Sequence, residues 1–264
     1  KVFEDISCAE LLLRIILNDE GIRVLEAHSQ RGIKNLQGRS VKLDILAVDS
    51  HNRVFNVEVQ RSDRGAGAKR ARYNSALIDA NVTEPGDQYE DLNETFVIFI
   101  TENDVMKAGL PIYHIDRVVR ETGKLFEDEE HIIYVNSQIK DETKLGRLMH
   151  DFSCTDAKDM YNKVLADRVR YFKEDERGVE IMCREMEIMR NQAHEEGVEI
   201  GIKKGRMLQL IKQVCAKMQK FSSAEEIAND LVEQDVPLIQ KIMDVAPNFG
   251  PDYNVDAIYK ALNL

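Results

Sequence analysis

The chain has 264 residues, with 36 Lys and Arg against 47 Asp and Glu, for a net charge of −11. That balance argues against general binding to nucleic acid, because phosphate contacts need positive charge. Apolar residues make up 43% and charged residues 31%, enough for one or two domains with a packed core.

No apolar run approaches the roughly 20 residues that span a bilayer, and no signal-peptide pattern opens the chain, so a cytoplasmic protein with no membrane contact is expected. Cys8, Cys154, Cys183 and Cys215 stand far apart without a CxxC pair. Free thiols are expected rather than a disulfide framework or a zinc site. The six histidines are scattered and form no HxxxH pair.

Residues 1–20 read as an amphipathic helix, with Ile6, Leu12 and Ile16 on its apolar stripe. Ser7-x-x-Glu10 fits a capping box at its start. A strand-like stretch from Ile22 to Ile33 and a turn at Asn35 to Gly38 follow.

Val41 to Gln60 then reads as a β-hairpin closed over Ser50-His51-Asn52. With a side-chain period of two, Val41, Leu43, Ile45 and Ala47 share a buried face with Phe55, Val57 and Val59. Lys42, Asp44, Glu58 and Gln60 share the other. A one-residue slip would turn an apolar set into water, so the register should place Asp44 opposite Glu58 and Lys42 opposite Gln60. Two carboxylates ~5 Å apart repel and call for a cation between them. Mg²⁺ prefers such oxygens, and the Val59 carbonyl can supply a third.

Gly65 and Gly67 break the chain before a helix from Ala68 to Asn81. Arg61, Arg64, Lys69, Arg70 and Arg72 face only Asp63 there, a local balance of +4. The run is either a solvated helix face or a DNA contact made by Arg61, Arg64, Lys69 and Arg72. Tyr73 either packs or touches the substrate. After a loop at Pro85-Gly86-Asp87, Thr95 to Ile100 reads as a fully buried strand, Ile112 to Arg120 alternates, and His131 to Val135 closes the strands. The result is a mixed α/β core.

Beyond Asp141 the chain turns helical. A short helix spans Lys144 to Asp151, and residues 156–218 keep helical periodicity with heavy charge. Glycines 178, 197, 201 and 205 each cost about 1 kcal/mol in a helix, so a long rigid rod is not expected without a partner helix. Met182, Met186 and Met189 sit at helical spacing and should pack against another helix. Ser223-Ala224-Glu225-Glu226 is a capping box, Pro237 suits a first helical turn, and Asn254 caps a last helix. The acidic residues of this segment favour protein contact over DNA reading. Three domains are expected: 1–141, a charged helical region at 142–219 that serves dimerisation, and a three-helix domain at 220–264.

Three stretches carry a resemblance: G-R-S-V-K-L-D-I-L-A-V-D from Gly38, R-V-F-N-V-E-V-Q from Arg53, and K-R-A-R-Y-N-S-A-L-I-D from Lys69. With the opening K-V-F-E-D, they resemble the PD-(D/E)XK nuclease superfamily. Within it they look most like the PD-(D/E)XK nuclease family transposases, also called recombination-promoting nucleases. The resemblance covers residues 1–140 well and the helical remainder loosely. Leu43 stands where the motif has Pro, and Gln60 where it has Lys.

The resemblance implies a restriction-endonuclease-like mixed sheet flanked by helices. It also implies a metal-dependent DNA endonuclease that hydrolyses phosphodiester bonds to leave a 5′ phosphate, linked to recombination, mobile elements or defence. Asp44, Glu58 and the Val59 carbonyl would hold Mg²⁺, for which Mn²⁺ can substitute, and related enzymes bring a first-helix carboxylate, here Glu10, towards it. Gln60 cannot act as a base but can orient water. Lys42 can supply the missing lysine's charge. A catalytically inactive, DNA-binding or oligomerising nuclease-like module is the alternative.

Overall fold

A computed structural model describes residues 1–33, 35, 40–60, 65–83, 86–221 and 223–262. The chain divides into two compact units, Lys1–Met182 and Cys183–Leu264.

In the first unit, the described residues form one six-stranded sheet in the order β1-β2-β3-β4-β6-β5. The strands are β1 (Val24–Ile33), β2 (Val41–Asp49), β3 (Val54–Gln60), β4 (Thr95–Thr101), β5 (Ile112–Ile115) and β6 (Glu130–Asn136). β3, β4 and β6 run parallel and the other neighbours antiparallel, which makes the mixed sheet expected from sequence. Parallel strands need a crossover, and α2 (Ala68–Val82) supplies it between β3 and β4.

One face of the sheet carries α1 (Ile6–Leu17), whose Cys8, Leu12 and Ile16 pack with Ile45, Phe55, Val57 and Ile98. The other carries α2, where Leu77 and Ile78 meet Ile33, Leu43 and Val54, and Ala71 meets Val97 and Phe99. β4 is covered on both faces, so its run is apolar at every position from Phe96 to Ile100.

Helices α3 (Lys144–Ser153) and α4 (Lys163–Glu174) place Leu148, Met149 and Leu165 in the same core as α1. The first compact unit therefore continues past the boundary expected at 141, because these apolar faces are buried against it. The strand expected to run to Arg120 stops at Ile115, leaving a single bridge between Val118 and Leu125.

Two expectations for the hairpin need correction. The β2–β3 register is the expected one, from Val48↔Val54 to Ile45↔Val57, but the ladder ends there. Asp44 and Glu58 flank the point where the strands part, and Lys42 pairs with Gly32 of β1 instead of Gln60. The apolar face also splits: Ile45 and Ala47 join the α1 core, whereas Leu43 joins the α2 side. The cause lies across the strand. Gln30 adopts a left-handed φ of 54° and drops out of the β1–β2 register between Ser29↔Ile45 and Arg31↔Leu43. Side-chain alternation is reset at that kink.

The second unit is all-helical. α5 (Glu176–Lys217) is one continuous helix despite its glycines, against the sequence expectation. Its Ile211 and Val214 close a core with Ile227 of α6 (Ala224–Leu231), Ile239 and Ile242 of α7 (Val236–Val245) and Ile258 of α8 (Val255–Ala261). Ser223 and Glu226 form the reciprocal capping box, Pro237 lies in the first turn of α7, and Asn254 caps α8. No helix among the described residues is long and apolar enough to cross a membrane.

Candidate active site

Strand β3 and helix α2 meet along a line of matched side chains. Alternate residues of a strand lie ~6.6 Å apart and helical residues four apart lie ~6 Å apart, so the two periods nearly agree. Val54 meets Leu77 and Ile78 at one end. Asn56 Oδ1 accepts from Asn74 Nδ2 at 3.2 Å in the middle. Glu58 Oε2 accepts from an Arg70 guanidinium nitrogen at 2.8 Å at the other end.

Glu58 and Asp44 lock the two strands together where the ladder stops. Asp44 N–H donates to Glu58 Oε1 at 3.3 Å, and Val59 N–H donates to Asp44 Oδ2 at 3.0 Å. Each carboxylate thus takes a backbone donor that the neighbouring strand no longer satisfies. Gln30 Nε2 donates to Asp44 Oδ1 at 3.1 Å, so the kinked residue reaches back to the site.

The two acids differ in what they can still accept. A carboxylate has about four lone-pair sites. Asp44 uses two, on Gln30 and Val59. Glu58 uses four: Asn56 at 3.0 Å and Asp44 N–H on Oε1, Gln60 at 3.3 Å and Arg70 on Oε2. The Glu58 side chain has no exposed surface. Burial pushes its pKa up, the Asp44 charge adds to that, and the Asn56 and Arg70 partners oppose it.

Gln60 and Gly65 are fitted to each other. A Cβ on Gly65 would lie 1.9 Å from Gln60 Oε1, and the Gly65 carbonyl accepts from Arg70 at 3.0 Å. Gly65 thus gives the glutamine its space and steadies the arginine. Beyond Gln60, at the carboxyl ends of parallel β3, β4 and β6, lies a cleft of about 600 Å³. Val59, Gln60, Glu102, Asn103, Lys140 and Phe152 are among its walls. Crevices at strand carboxyl ends are where open α/β sheets bind ligands. A separate depression of about 560 Å³ around His51, Arg53 and Glu90 lies at the hairpin-turn end, away from Asp44 and Glu58.

The other candidates from sequence fall variously. Val59 is exposed beside Asp44. Lys42 is exposed and neighbours Leu43, which faces α2, so it leaves on the opposite face from Glu58. Glu10 is elsewhere. Its carboxylate accepts Val24 N–H at 3.0 Å and pairs with Arg14. Val24 pairs with Asp49, five residues and therefore roughly 16 Å along β2 from Asp44.

The Ser7–Glu10 capping box does not form either, because Asp5 caps α1 through Ser7 N–H and Cys8 N–H. Lys69 and Arg72 are exposed, and Tyr73 is half-buried against the α2 cluster, its hydroxyl accepting from Asn35. Arg61 and Arg64 lie outside the described residues.

Arg70, Asn56 and Asn74 are the site residues that sequence reading missed. The signal was available: Asn74 lies on α2's buried stripe with Ile78, where a polar residue needs a partner, and Arg70 stands one turn earlier on the same face.

One further group combines metal-ligand types: His150, Asp151 and Cys154. Asp151, however, is buried and accepts Tyr161 N–H, Asn162 N–H and the Asn162 amide at 2.7–2.9 Å, so it anchors the start of α4. Burial and the Asp151 charge raise the Cys154 pKa, which disfavours the thiolate a metal would need.

No curated protein and no solved structure matches the chain significantly. The model of one family does, over residues 10–199, which takes in the hairpin, α2 and the rest of the sheet. The chain therefore belongs to the PD-(D/E)XK nuclease family transposases, a family with a nuclease-related role.

Proposed function

We propose that this protein is a divalent-metal-dependent DNA endonuclease, acting in the cytoplasm as a homodimer on mobile or foreign DNA. One observation supports this above the rest: Asp44 and Glu58 are bonded to each other's strands at the point where β2 and β3 separate. The donor set suits Mg²⁺ or Mn²⁺, with two carboxylates and the Val59 carbonyl as hard oxygen ligands. A bound ion would polarise the phosphoryl oxygen and lower the pKa of water.

The protein's own groups set the conditions for that binding. Asp44 has lone pairs to spare, whereas Glu58 must first give up a donor on Oε2. The bond from Gln60 is the longer and neutral one, and that from Arg70 is charged. Two carboxylates and one guanidinium sum to −1, short of balancing a dication. A phosphodiester brings the one further negative charge, so metal and DNA should bind more tightly together than singly.

Arg70, freed from Glu58, would hold the scissile phosphate and supply the positive charge that sequence reading assigned to Lys42. Gln60 orients the attacking water through its carboxamide. Lys69, Arg72 and, from sequence, Arg61 and Arg64 contact the DNA backbone.

A second reading is favoured by one observation. Glu58 is buried and its acceptors are filled, as in an inactive module where Arg70 replaces the metal for good. Nicking of supercoiled plasmid with Mg²⁺ or Mn²⁺, lost in Asp44→Ala, supports the nuclease. Absence of nicking by wild-type protein, with DNA binding retained, supports the inactive module.

A further inference from the structure

Gln30 holds a backbone conformation that its side chain disfavours. Its φ of 54° lies in the left-handed region, where a Cβ is crowded and glycine is at ease. Packing explains the turn but not the residue. The kink lets Ile33 and Leu43 reach the α2 side of the sheet while Ile45 stays with α1, and a glycine would serve that purpose better. The Gln30 side chain is exposed on an edge strand, so burial does not offset the strain. Its one hydrogen bond among the described residues runs to Asp44 Oδ1, at 3.1 Å.

Strain kept beside a site points to what the side chain does there. Asp44 stands where both of its ladders lapse. The β2–β3 pairing ends at Ile45↔Val57, and the β1–β2 pairing skips from Ser29↔Ile45 to Arg31↔Leu43. Its carboxylate is oriented by two donors, Gln30 on Oδ1 and Val59 N–H on Oδ2 at 3.0 Å. One donor on each oxygen fixes the plane of the group and leaves each oxygen a lone pair for an ion.

We infer that Gln30 is a positioning residue, which holds Asp44 in place for a divalent ion at the cost of a strained backbone. The inference rests on the metal site proposed above and names the group that orients it. A donor behind a ligand governs metal affinity by about 10–100-fold, because the ligand is ordered before the ion arrives.

Two variants separate the carboxamide from the backbone. Gln30→Gly removes both the donor and the strain, whereas Gln30→Met keeps the strain and a similar length of side chain without the donor. Calorimetric titration with Mn²⁺ should show affinity about 10-fold weaker in both. Without metal, Gln30→Gly should melt about 2–4 °C above wild type, and Gln30→Met should not. Undiminished Mn²⁺ affinity in Gln30→Met would overturn the positioning role. A Gln30→Gly melting temperature at or below that of wild type would overturn the strain. Wild-type protein that binds no Mn²⁺ would overturn this inference together with the metal site. Wild-type protein that binds Mn²⁺ but nicks no plasmid would overturn the nuclease reading alone, and the affinities of the two variants would still decide the role of Gln30.

Discussion

Arg70 sits 2.8 Å from Glu58 Oε2, where the motif glutamate would be expected to receive a metal ion. The guanidinium comes from the first turns of α2 and is steadied by the Gly65 carbonyl. A buried carboxylate without such a partner would be costly. The arginine thus stabilises the site and would compete with a bound ion for one oxygen.

Arg70→Met should therefore separate binding from turnover. Removing the competing cation frees Oε2, so Mn²⁺ affinity should rise, read as a larger metal-induced shift in melting temperature. Plasmid nicking should fall by about 100-fold if the guanidinium also holds the phosphate. Unchanged nicking would remove Arg70 from the chemistry.

The raised pKa of Glu58 gives a pH dependence with a definite sign. Metal binding requires the carboxylate, so as pH falls metal affinity should begin to decline while pH is still above the ordinary glutamate range. For folding, the native state holds this proton more tightly than the unfolded chain. The site's contribution to stability is full below the unfolded value and is lost as pH rises through the folded one. Metal-induced melting shifts measured from pH 4 to pH 8 would show the first effect, and Glu58→Gln should flatten the metal-free curve.

Gly65→Ala tests Gln60 without touching it. The added methyl group occupies the space of Gln60 Oε1 and turns the carboxamide away. Nicking should drop by about 10-fold, less than the ~10²–10⁴-fold of a general acid or base, because Gln60 only orients water and is displaced rather than removed. The melting temperature should hold, since Gln60 has a flexible end. A stable, fully active variant would show that the glutamine's position is immaterial.

Asn74→Ala should cost about 1–3 kcal/mol in denaturant unfolding, because it leaves buried Asn56 Oδ1 unpaired. Asn56 also donates to Glu58 Oε1, so the variant should loosen the glutamate and weaken metal binding. A loss of stability with unchanged metal affinity would limit the asparagine pair to a structural role.

Much of this was legible from residue order alone. The hairpin and its register followed from period-two apolar sets, β4 from an unbroken apolar run, and the caps of α6 and α8 from Ser223 and Asn254, because each depends only on nearby residues. The nearness of Asp44 to Glu58 across the hairpin followed in the same way.

Tertiary structure decided the rest. It turned Gln30 left-handed and split the face of β2 at Asp44, a cross-strand effect that period-two reasoning along one strand does not contain. It sent Glu10 to Val24 and brought Arg70 to Glu58, since partners of buried charges are chosen by the packing of separate elements. Residue types and spacing along the chain determine which groups must be satisfied; only the folded chain determines which group, at what distance, satisfies them.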